Sequence, residues 1–97
     1  MLDDPDREQL EKEIDAFLKT IPNLVRIFRN PIMDATKQIK DLESFILGNY
    51  YATIQIQFSE YFTESHGRIP NESESNEFLE VVFRRMEDVK KTIIKCD

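Results

Sequence analysis

The sequence predicts an all-α fold: an antiparallel bundle of three to four main helices plus a short connecting helix. Three observations predict it. Apolar residues recur at intervals of three and four in each long segment, the period of one helix face. The chain has two glycines and no tryptophan, with many Glu, Lys, Leu and Ile, a composition that favours helices. Loop residues concentrate in one place, Ser65 to Asn76, which holds Gly67, Pro70 and several Asn and Ser.

The first helix is expected over 5–20. Asp4 can cap it, and Pro5 suits the first turn, where a missing N–H costs nothing. Asp6 and Glu8 favour the positive end of the helix dipole. Leu10, Ile14, Phe17 and Leu18 form its buried stripe. Pro22 is expected to end or kink this helix. A short helix over 23–29, carrying Leu24, Val25, Ile27 and Phe28, should then plug one end of the bundle. Met1 to Ala16 holds seven acids and two bases, read as a solvated helix surface. Arg26, Arg29, Lys37 and Lys40 are expected to form a basic side facing it, within the chain or across a dimer.

The stretch 31–64 has no proline after Pro31 and carries six aromatic residues: Phe45, Tyr50, Tyr51, Phe58, Tyr61 and Phe62. Ala35, Ile39, Leu42 and Ile46 mark one helical face. After Gly48, the residues Tyr51, Ile54, Phe58, Tyr61 and Phe62 mark another, roughly 110° around the axis. One continuous helix of this length would run about 50 Å, against a radius of gyration of about 12–13 Å for a compact domain of this size. The sequence therefore points to a kink or break near Gly48, or to a continuous helix overhanging towards a second chain. Ala52 to Phe58 also alternates as a strand would, but lacks a partner strand for its backbone groups. Ile56 separates the two readings, because a helix leaves it off the main face.

The last helix is expected over 74–95, with Asn71 or Ser73 as its cap. Leu79, Val82, Met86, Val89, Ile93 and Cys96 follow coiled coil-like spacing. Phe78 and Phe83 widen the stripe, as suits a bundle helix. The expected core draws on all these stripes, with Phe28, Ile39 and Phe83 among its members. Ile69 is expected to tuck onto the bundle end.

Length sets one domain over 1–97. A net charge of −6 argues against general nucleic-acid binding. No apolar run approaches a membrane span. A single cysteine and an acidic N-terminus without a signal-like core point to an intracellular protein, cytoplasmic or nuclear. One histidine, His66, lies at the loop edge, where a solvated side chain is expected. No zinc spacing, phosphate loop or dinucleotide fingerprint appears. No enzyme activity, catalytic residue, cofactor or metal is therefore expected.

The functional expectation is a non-catalytic protein–protein interaction module, a scaffold, adaptor or assembly subunit. Its partner would be a protein, as a homo-oligomer or a helical hetero-assembly. Candidate contacts are Tyr50, Tyr51, Ile56, Tyr61 and Val81, which lie off or at the edge of the main stripes; tyrosine combines large area with a polar tip. The alternative is a small acidic regulator or inhibitor, of the immunity or anti-defence type, acting on a basic enzyme or nucleic-acid-binding protein.

Overall fold

A computed structural model describes residues 1–96. It contains five helices: α1 (Asp4–Phe28), α2 (Pro31–Thr36), α3 (Leu42–His66), α4 (Glu72–Arg84) and α5 (Met86–Lys95). Among the described residues there is no strand, so the all-α expectation holds and Ala52 to Phe58 is helical. α4 and α5 follow one another through a single residue, Arg85, and form one rod.

Three rods of similar length make the bundle. The start of α1 meets the end of α3, where Asp6 contacts His66. The end of α1 meets the start of α3, where the rings of Phe28 and Phe45 lie 4.8 Å apart. α1 and α3 are therefore antiparallel. The third rod runs alongside α1 in the same direction: Glu77 reaches Arg7, and Arg85 reaches Glu11 and Asp15. The result is a slim up-down-up bundle of 45 × 22 × 18 Å.

α1 differs from expectation at both ends. Asp3, not Asp4, is the cap: its side chain accepts from the Asp6 N–H while Asp6 reaches back to the Asp3 N–H. This capping box satisfies two backbone donors that the first turn leaves unpaired. Pro22 does not end the helix, so the short helix expected over 23–29 is the last part of α1. A mid-helix proline costs about 3 kcal/mol. Pro22 itself is exposed, while Ile21 and Val25 on either side of it are buried. Burial of such side chains is worth about 1.5–3 kcal/mol each, enough to carry the helix past the proline.

The break in 31–64 falls at Lys37–Asp41, not at Gly48. Asn30 caps α2 by accepting from the Ile32 N–H. Lys37 closes it in the left-handed region, at φ 55°. Asp41 then caps α3, its carboxylate accepting from the Ser44 N–H and hydroxyl. Two helix caps four residues apart outweigh the propensity of the segment to continue. The overhanging helix is thereby removed, because α3 is matched in length by both neighbours. Gly48 sits within α3, and a Cβ there would meet no atom within 4 Å. Gly48→Ala should stabilise the fold by about 0.5–1 kcal/mol, seen as a higher urea midpoint.

Fifteen apolar residues make up the core, with Leu10, Ile14, Phe17, Ile46, Ile54, Phe58, Phe62, Val82, Val89 and Ile93 where the stripes place them. Leu2, Ile21, Val25, Tyr50 and Phe78 join them. Phe83, expected inside, is 54% exposed, and Ile69 is 76% exposed rather than tucked. The last helix begins at Glu72 under a second capping box, between Asn71 and Glu74. Cys96 is its half-buried last rung, the thiol donating to the Thr92 carbonyl.

Candidate functional site

Within the chain, the α1 acids Glu11 and Asp15 are met by Arg84 and Arg85 rather than by the basic residues the sequence singled out. Arg85 donates to Glu11 and Asp15, and also to Asp88, while Arg84 pairs with Glu11. Arg26 bonds Asn23 on its own helix.

At the end where α1 begins and α3 finishes, polar groups form a clamp. Asp6 is 1% exposed, and its carboxylate lies 3.0 Å from His66 Nε2. The His66 ring stacks on Phe62, centroids 4.1 Å apart. The loop-edge histidine is thus tied to α1 on one side while its side chain stays partly open to solvent. Burial alone would raise the Asp6 pKa; the bonds from His66 and Asp3 outweigh it and hold it below the ordinary range. Glu74, equally buried, receives both Arg68 guanidinium nitrogens at 2.7 and 3.0 Å. Those bonds, with the Asn71 N–H, pull its pKa down to about 2. Arg68 also lies over the Phe62 ring, 5.2 Å from its centre, a cation–π geometry.

Asp3, Asp6 and His66 each present one ligand atom within 4.8 Å of the others, a grouping that could hold a metal ion. Their atoms are already engaged, Asp3 in the helix cap and Asp6 by His66 and the Asp3 N–H. The cluster is complete as a structural tie. Asp6→Asn should cost about 1–3 kcal/mol by leaving buried polar groups poorly matched, with the loss shrinking at low pH, where Asp6 is protonated in any case.

The expected contact residues separate into three kinds. Tyr50 is excluded as a contact: it is fully buried, its ring packs on Phe17 and its hydroxyl donates to the Val82 carbonyl at 2.8 Å. Burial lifts its pKa to about 12. Tyr61 and Val81 are half-buried and pack against the core. Tyr51 and Ile56 are exposed, and α3 turns them to different sides.

Tyr51 stacks on Phe83, centroids 6.4 Å apart. Beside this pair, a groove of about 360 Å³ opens between α3, α4 and the loop before α4, lined by Phe58, Phe78, Leu79, Ile69 and Tyr51. Sequence reasoning missed Phe83 as a surface group because stripe position alone does not say which neighbour covers a stripe edge, and Ile69 because a lone apolar loop residue carries no periodicity to place it.

A second groove, about 330 Å³, runs between α1 and α3 on Glu13, Phe17, Thr20, Leu24, Asn49, Thr53 and Gln57. Glu13 is 9% exposed, and its Oε2 is buried without a hydrogen-bond partner. Burial raises its pKa from 4.5 to about 7. The signal for it was present in the sequence: Glu13 lies three after Leu10 and four before Phe17, a charge at a stripe position.

Comparison with family models, curated proteins and solved structures finds no match to this chain. No helix among the described residues is long and apolar enough to cross a membrane.

Proposed function

We propose that the chain is a non-catalytic protein-interaction module whose main contact surface is the α3–α4 groove. The observation that carries this reading is the exposed pair Tyr51 and Ile69 around the apolar floor of Phe58 and Phe78, with exposed Phe83 stacked on Tyr51 at its edge. Contiguous exposed apolar surface is unusual on a lone small protein and marks contact sites. Aromatic anchors beside a pocket are the commonest carriers of binding energy. The occupant that fits is the apolar face of a helix from a protein partner, laid along the groove.

The test pairs two measurements. Tyr51→Ser with Phe83→Ser should leave the chain folded at a cost of about 1–2 kcal/mol, because both rings are only partly covered. The same pair should weaken capture of the partner from the source cell at least tenfold, while a control change at exposed Lys91 should not. Sedimentation of the purified chain shows whether that partner is a second copy. Equal capture by the double variant would sink the reading.

A further inference from the structure

The α1–α3 groove contains a carboxylate with no counterpart. Glu13 is nine-tenths buried, its Oε2 has no partner, and the other polar groups lining the groove are the neutral Thr20, Asn49, Thr53 and Gln57. Elsewhere the buried acids are answered: Asp6 by His66 and Glu74 by Arg68. A buried carboxylate left open is costly unless a cation or donor completes it.

We propose that this groove receives an arginine side chain of a protein partner, its stem along Phe17 and Leu24 and its guanidinium on Glu13. The inference rests on the interaction-module reading and adds a second contact on another side of the bundle. Guanidinium fits better than ammonium. It carries five N–H donors in a plane, and the groove offers the carboxylate together with the side-chain oxygens of Gln57, Thr53 and Asn49, the last two joined by a Thr53-to-Asn49 hydrogen bond that leaves each a lone pair. The apolar wall suits the methylene stem. A net charge of −6 draws basic partners in general; Glu13 gives that attraction one address.

The site is tested on the whole chain by NMR titration with n-butylguanidinium chloride, which reproduces the arginine stem and head. Saturable shifts are expected at the Glu13 carboxyl carbon and the Asn49 and Gln57 side-chain amides, with a dissociation constant on the order of millimolar, the range of single weak contacts. N-butylurea, of the same shape without charge, should not saturate. Glu13→Gln should weaken binding at least tenfold and remain folded. An absent or unsaturable response to n-butylguanidinium, an equal response from butylurea, or an equal response from the variant overturns the proposal. Agmatine supplies one more arm: a tenfold preference for this free diamine-like cation would reassign the groove to a small metabolite and overturn the partner arginine. If the groove fails while capture still depends on Tyr51 and Phe83, the module reading stands without it. If capture ignores those two residues, that reading falls whatever butylguanidinium does.

Discussion

Phe58→Ala is expected to destabilise the protein by about 3–5 kcal/mol, the usual cost of emptying a buried phenylalanine site. Phe58 is buried at the junction of two rods, with the rings of Phe78, Tyr61 and Phe62 at 5.4, 5.8 and 6.1 Å. Its stacked contact with Phe78 ties α3 to α4, and the groove beside it stays open over the same rings. A domain of this size is stable by about 5–15 kcal/mol in all, so the variant should lose about a fifth of its margin at the least. Urea unfolding gives the number, with the slope unchanged if only packing is lost. Phe83→Ala is the matched control: the same side chain, mostly exposed, should cost under about 1 kcal/mol. Comparable losses from the two variants would mean that Phe58 is not the inner wall and Phe83 not the outer one.

The contrast between those two phenylalanines also shows how far the sequence could be read. Stripe spacing finds which residues of a helix lie on one side, and that was enough for Leu10, Ile14, Phe17, Ile54, Phe58, Phe62, Val82, Val89 and Ile93. It does not say how wide the neighbouring rod is. Phe78 and Phe83 flank the same stripe, and only Phe78 is covered. Helix ends were harder. Gly48 and Pro22 look like breaks because each weakens a helix locally, yet both are overridden by buried neighbours, Ile46 and Tyr50 on one side and Ile21 and Val25 on the other. The true break at Lys37–Asp41 contains neither Gly nor Pro. It comes from Asp41 capping α3 and Lys37 entering the left-handed region, a conformation glycine or asparagine usually supplies.

The ends of the chain carried a subtler message. Asp6 and Glu13 read as members of a solvated acidic face, and Glu74 as no more than the start of the last helix, but all three are buried. Asp6 lies four before Leu10, and Glu74 four before Phe78, so each occupies a stripe position one turn before the apolar run starts. That placement lets a capping carboxylate reach inward to a partner brought by tertiary structure, the His66 ring in one case and the Arg68 guanidinium in the other. These partners could not be assigned from sequence, because they come from the far end of α3 and the loop after it. Tyr50 belongs with these residues. Its apolar ring fills the core, and its hydroxyl finds a carbonyl on α4, so a residue with interface chemistry serves the interior.

Glu13→Gln is expected to stabilise the protein by about 3 kcal/mol at pH 8 and by almost nothing at pH 4. The folded chain holds the Glu13 proton up to about pH 7, whereas an ordinary glutamate releases it at 4.5. Between those values the folded state binds more protons than the unfolded state, so stability falls as pH rises and levels off above 7. The lift corresponds to about 3 kcal/mol when fully developed. Asp6 and Glu74 act in the opposite sense: their lowered pKa values give stability that is fully present above the ordinary carboxylate range and lost as pH falls below it through the folded values. The wild-type chain should therefore be most stable in mildly acidic solution, and the glutamine variant should lose the decline on the alkaline side while keeping the acid limb. Urea midpoints at pH 4, 6 and 8 measure both limbs. Parallel profiles for the two proteins would show that Glu13 is solvated or already paired in the folded state. At neutral pH Glu13 costs the fold stability, and a guanidinium brought by a partner would return that stability as binding energy.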